Sequence, residues 1–107
     1  LNIETAQPCG LIVNELVSNT LKHAFPNGRS GIVYLGLHQN QEDKIILTVG
    51  DNGIGFPAGV DFRNVESLGM ELVCTLTEQL EGTITLNLEN GTLFTVSFSE
   101  LQYRHRF

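Results

Sequence analysis

The spacing of apolar residues along this chain changes period three times, and that succession limits the folds open to it more than any other feature. Over residues 9–25, "CGLIVNELVSNTLKHAF", apolar side chains recur at Val13, Leu16, Val17, Leu21 and Ala24, the three-and-four spacing of an amphipathic helix. Pro26 is expected to stop this helix, with Asn27 and Gly28 turning the chain. Alternation then takes over. Val33, Leu35 and Leu37 in one run, and Ile45, Leu47 and Val49 in the next, predict two strands joined by the polar "NQED". A second helical run, "LGMELVCTLTEQLE", follows Ser67, a residue type suited to an N-cap, and precedes Gly82, where a helix C-terminal glycine belongs. "TITLNLE" and "TLFTVSFS" alternate again around Asn90 and Gly91, a strong hairpin signal. With a short strand expected near "LNIE", the order predicts a two-layer α/β sandwich in which two helices cover one face of a sheet.

The 107 residues, 41% of them hydrophobic, suffice for one domain with a core but not for two. A net charge of -6, from twelve acids against six bases, supplies no basic surface for gripping a phosphate backbone, so nucleic acid is not an expected partner. A bound phosphate would need backbone amides or a metal. Cys9 and Cys74 lie far apart with no C-x-x-C pairing, which reads as reduced thiols in a cytosolic setting rather than a zinc site or a disulfide scaffold. No run approaches the roughly twenty apolar residues of a membrane helix, and no signal segment opens the chain, so a cytoplasmic domain without membrane contact is expected. The start at Leu1 reads as a piece of a longer protein. Residues 1–99 are expected to form the domain, and residues 100–107, ending in "LQYRHRF", a basic and aromatic tail.

Four short stretches could carry chemistry. On the first helix, Ser18, Lys22, Glu15, Asn19 and His23 fall in one arc of roughly 140° at about 100° per residue. A carboxylate, an amide oxygen, an ammonium and an imidazole on one face could hold a hydrated magnesium ion and the phosphates it bridges. An ordinary solvated helix face has the same composition. In "DNGIGFPAG", Asp51 ends a buried-looking strand, so its carboxylate could lie at the floor of a cleft and accept a hydrogen bond from an exocyclic amine such as that of adenine. Gly53 and Gly55 would let the backbone approach a flat ring, although a plain turn collects the same residues. A dinucleotide fingerprint is excluded because Pro57 interrupts the spacing, and a calcium loop because its acids are missing. In "SLGMELV", Gly69 at a helix mouth would admit an anion to unpaired amides, or the segment is simply a capped helix start. In "NGT", Thr92 opens the last strand and could support a base-binding carboxylate, or serve only as a favourable strand residue.

Taken in order, N-E-L-V-S-N-T-L-K-H, D-N-G-I-G-F, S-L-G-M and N-G-T-L-F resemble the ATP-binding catalytic domain of sensor histidine kinases over about residues 1–99. These kinases share a superfamily with type II topoisomerase ATPase domains, heat-shock chaperones, mismatch-repair ATPases and anti-sigma serine kinases. The resemblance implies the Bergerat ATP-binding fold, with a mixed, mostly antiparallel sheet and helices on one face. It implies ATP and magnesium, with Asn19 as a metal ligand and Glu15 as the carboxylate that orients water or acts as base. Lys22 and His23 match phosphate-side positions, Asp51 the aspartate that recognises the adenine amine, and Gly53 and Gly55 the glycines that shape its pocket. Gly69 matches a phosphate-facing glycine, and Thr92 the threonine that backs the aspartate.

Departures are informative too. Ser67 stands where many relatives have a first glycine, no separate phenylalanine box is evident although Phe56 and Phe62 lie nearby, and the expected lid, about residues 56–66, is short. This resembles the compact-lid kinases more than the topoisomerase or chaperone branches. His23, His38 and His105 do not lie on a dimerisation helix, so the resemblance implies a phosphoacceptor histidine on a separate domain and a response regulator downstream. A helical hairpin and part of a leading strand would normally come before Leu1, and a sheet edge exposed there would invite self-association. Two other expectations remain open: an anti-sigma-type serine kinase, and a nucleotide-binding scaffold without catalysis.

Overall fold

The computed structural model describes residues 2–23, 30–53, 68–89 and 91–100, with the backbone alone for Lys22, His23 and Leu68. Helix α1 (Ile3–His23) is followed by strands β1 (Val33–Gln39) and β2 (Ile45–Asp51), helix α2 (Leu68–Gln79), and strands β3 (Thr83–Asn87) and β4 (Thr92–Phe98). Residues 3 and 4 are therefore helical, and the short strand expected near "LNIE" does not form. Asn2 explains the difference. Its side-chain oxygen accepts the Thr5 N–H at 3.0 Å and its carbonyl accepts the Ala6 N–H at 2.8 Å, which makes it the N-cap of α1. Glu4 then adds negative charge to the positive end of the helix dipole.

The buried stripe of α1 runs through Thr5, Cys9, Ile12, Leu16 and Thr20. Threonine and cysteine fill positions that a search for aliphatic spacing passes over, and Pro8 inside the helix discourages extending it backwards. The stripe also turns the helix away from its expected face. Val13 and Val17 flank the core, partly buried, while Leu21 is 65% exposed. Ala24 and the expected stop at Pro26 lie outside the described residues.

The sheet has the order β1-β2-β4-β3 and is antiparallel at every described pairing. Alternation puts Ile45, Leu47 and Val49 of β2 and Phe94, Val96 and Phe98 of β4 on the helix side. There they pack with Ile12, Leu16, Met70, Val73, Leu76 and Leu80 from the two helices. Complete burial of a side chain such as Phe98 contributes about 1.5–3 kcal/mol. The helices pack chiefly against each other and reach the sheet at β2 and β3. The two described helices leave β1 uncovered: Leu35 pairs with Val49 and Leu37 with Leu47 on the helix side, yet they remain 60% and 53% exposed. Among the described residues no helix is long and apolar enough to cross a membrane. Burial of Cys9 pushes its thiol pKa up, which makes it a poor nucleophile near neutral pH.

The end of α2 departs from expectation by one residue. The Gly82 N–H donates to the Thr77 carbonyl at 3.0 Å and the Glu81 N–H to the Glu78 carbonyl at 2.9 Å, the paired bonds of a Schellman motif. The left-handed position is therefore Glu81, with φ of 55°, and not Gly82. Gly82 is required for a different reason: a Cβ there would come within 2.5 Å of the Ser97 carbonyl oxygen on β4. The two neighbours should respond oppositely to substitution. Glu81→Gly is expected to stabilise the fold by about 1 kcal/mol by relieving the left-handed backbone, and Gly82→Ala to destabilise it by about 1–3 kcal/mol. Urea unfolding of both variants checks the pair of signs.

Candidate functional site

Four residues of β2, Ile45, Leu47, Val49 and Asp51, alternate onto one side of the sheet, and the fourth is a carboxylic acid. The period that buries the first three also buries Asp51, which is only 2% exposed. A carboxylate taken out of water is costly unless hydrogen bonds replace its hydration. Asp51 has two. Its Oδ1 accepts the Gly53 N–H at 2.8 Å, and its Oδ2 accepts the Thr20 hydroxyl at 3.2 Å. Both donors are neutral, and a carboxylate offers about four lone-pair positions, so acceptor capacity remains on both oxygens.

The surroundings of Asp51 are set by close backbone packing. It pairs with Val33 on β1 and with Thr92 on β4, which places the buried Thr92 beside it on the same side of the sheet. Gly91 holds φ of 98°, and a Cβ there would lie 2.2 Å from the Asp51 carbonyl oxygen. A Cβ on Gly50 would meet Leu93 Cδ1 at 2.8 Å and the Thr92 carbonyl oxygen at 2.9 Å. Asn52 secures the other flank. Its side-chain oxygen accepts the Ile32 N–H at 2.8 Å, and its own N–H donates to the Ile32 carbonyl at 3.2 Å. The β3–β4 connection is wider than a two-residue turn at Asn90 and Gly91, because β3 ends at Asn87, opposite Leu93.

Glu15 and Asn19 stand four residues apart on α1, so they share a face one turn from each other, and both are half-buried. Thr20, the next residue, anchors that stretch of α1 to Asp51. Glu15, Asn19, Thr20, Asp51, Gly53 and Thr92 thus come from the second half of α1, the end of β2 and the start of β4. Among the described residues no three of His, Cys, Asp and Glu gather as a metal site. Gly69 is the second residue of α2 and is half-buried. Lys22 and His23 lie in the last turn of α1, where the backbone alone is described. Gly55, Phe56, Phe62, Ser67 and the expected lid over 56–66 lie outside the described residues.

Sequence alone gives Thr20, Gly50 and Asn52 no role at this site, and gives Gly91 only that of a hairpin turn. Thr20 lies on the buried stripe rather than the polar arc, and its signal was a hydroxyl at a core position of an amphipathic helix. The glycines of consequence to Asp51 are the one before it and the one before Thr92. Gly91→Ala is expected to cost at least about 1–2 kcal/mol from its backbone conformation alone, with the clash against Asp51 added. Thermal or urea unfolding measures the loss.

A family model described as "Histidine kinase-, DNA gyrase B-, and HSP90-like ATPase" matches residues 5–102. Among curated proteins the chain is similar to blue-light-activated histidine kinase 2 of Erythrobacter litoralis, 35% identical over 94 residues that make up 88% of this chain and 27% of that protein. It is also 30% identical over 96 residues to the sensor histidine kinase PdtaS of Mycobacterium tuberculosis, covering 86% of this chain and 19% of the relative. Among solved structures, the histidine kinase domain of an Erythrobacter litoralis blue-light activated histidine kinase superposes with a TM-score of 0.84 at 31% identity, over 92% of this chain and 46% of that one. The chain therefore spans about a fifth to a quarter of the curated relatives' length.

Proposed function

We propose, on the premise that this chain belongs to the family of histidine kinase-, DNA gyrase B- and HSP90-like ATPases, that it binds magnesium ATP and delivers the γ-phosphoryl group to a histidine. The acceptor sits on a separate dimerisation and phosphoacceptor domain, and a response regulator takes the group onward in two-component signalling. The setting is cytoplasmic, with residues 1–99 as the catalytic domain and 100–107 as a tail. The observation that carries this reading is Asp51. A buried carboxylate oriented by two neutral donors is an acceptor without a proton to give, which suits the exocyclic amine of adenine and repels a ring carbonyl at the same place. The names of the relatives favour a histidine acceptor over an anti-sigma-type serine kinase or a scaffold.

The roles follow from chemistry and position. Asp51 binds the base edge, with Thr92 beside it and Gly53 giving its amide to the carboxylate. Glu15 and Asn19 present hard oxygens on one helix face, a donor set that fits magnesium, an ion that takes few protein ligands and keeps waters. Asn19 would hold the metal, and Glu15 would orient the reacting hydroxyl or nitrogen by accepting its proton or hydrogen bond. Bound magnesium supplies charge neutralisation at the phosphates. Lys22 and His23 add cationic or donor groups on the phosphate side, Gly69 offers a backbone amide at the mouth of α2, and Gly55 shapes the pocket with Gly53. Phosphoryl transfer asks for positioning and charge stabilisation more than for covalent chemistry, and this set provides both.

The test is transfer of labelled γ-phosphate from ATP to a supplied phosphoacceptor domain of the parent protein. Glu15→Gln is expected to keep nucleotide binding while slowing transfer by about 10²–10⁴-fold. Transfer unaffected by Glu15→Gln removes Glu15 from the chemistry, and a wild-type chain that binds ATP but phosphorylates no histidine favours the scaffold.

A further inference from the structure

Asp51 is held from two independent elements, and only one of them belongs to its own loop. The Gly53 amide, two residues on, reaches Oδ1 and would follow the strand end wherever it went. The Thr20 hydroxyl reaches Oδ2 from α1, thirty-one residues away in sequence. The carboxylate's terminal torsion is broad and roughly two-fold, so one hydrogen bond leaves its plane able to swing, and a second donor on the other oxygen fixes it. Thr20 is itself buried, at 7% exposure, which makes its hydroxyl a poor candidate for simple solvation. Its single proton is committed to Asp51, so the remaining lone pairs of both groups can only accept.

We infer that Thr20 is a positioning residue for nucleotide recognition: it fixes the plane of the Asp51 carboxylate so that a free lone pair meets the exocyclic amine of the base. It also keys that carboxylate to the helix carrying Glu15 and Asn19, so the base end and the phosphate end of the site share one rigid reference. This inference rests on the nucleotide reading above and adds a residue that the sequence did not nominate. Thr20 acts through Asp51 and is not a catalytic residue.

The experiment compares two ligands, magnesium ATP and magnesium purine riboside triphosphate, which lacks the exocyclic amine, by calorimetric titration into the wild-type chain, Thr20→Val and Thr20→Ser. The wild type is expected to prefer ATP. Thr20→Val, close in shape but without the hydroxyl, should lose roughly tenfold in ATP affinity and little for the amine-free analogue, and Thr20→Ser should recover most of the loss. A general weakening of the fold would lower both affinities together, and far-UV circular dichroism with a thermal melt confirms that each variant is folded. Equal loss for both ligands, or no loss in Thr20→Val while the wild type still prefers ATP, overturns the role of Thr20. Should Thr20→Val not fold, a folded Thr20→Ser that binds ATP no more tightly than the analogue would overturn it, since that variant keeps the donor. A folded wild type that binds neither ligand refutes the nucleotide reading itself, whereas one that binds both equally refutes Asp51 as the acceptor for the exocyclic amine and, with it, the role of Thr20.

Discussion

A negative charge buried at the end of a central strand is the constraint from which the rest of this site follows. Asp51 continues the inward alternation of Ile45, Leu47 and Val49, and its removal from water has to be offset by donors that the fold brings from elsewhere. Gly53 supplies one and Thr20 the other, so part of the carboxylate's hydrogen bonding comes from α1, which packs over the sheet. Gly50 and Gly91 have no Cβ because the backbones of β2 and β4 close tightly around that strand end. Packing, backbone conformation and hydrogen bonding converge on one side chain, Asp51.

The layered architecture was legible from apolar spacing, because strands at period two and helices at three-and-four leave different traces in a sequence. Its errors were physical ones. Helix α1 starts earlier than expected since Asn2 caps it and since Thr5 and Cys9 serve as core residues. Its face is rotated, so that Leu21 points outward while Thr20 points in. The glycine after α2 has a different cause from the one its position suggests: the left-handed residue is Glu81, and Gly82 makes room for β4. The Asn2 cap is a local contact, but the rotation of α1 and the need for Gly82 turn on neighbours far away in sequence, which local pattern does not contain.

The candidate site is legible in the sequence in part. A strand ending in Asp51 and a helix carrying Glu15 and Asn19 could be read directly, and their order with the glycine stretches carried the family resemblance. The pairing of Asp51 with Thr92 depends on sheet order, since β2 and β4 are neighbours only after the β3–β4 connection folds back. The contact from Thr20 depends on how α1 is rotated over the sheet. The uncovered apolar side of β1 follows from how far the two helices reach, which no feature of "GIVYLGLHQ" encodes.

The most direct measurement is calorimetric titration of magnesium ATP into this chain and into Asp51→Asn. The amide keeps the shape of the carboxylate but offers one acceptor oxygen and adds two donors where the amine should sit. Saturable binding by the wild type, weakened about ten- to a hundredfold in a folded Asp51→Asn chain, is the predicted result, the size expected for losing a hydrogen bond to a charged group. Equal ATP affinity in the two folded chains would contradict the account, because the buried carboxylate would then have no part in holding the nucleotide.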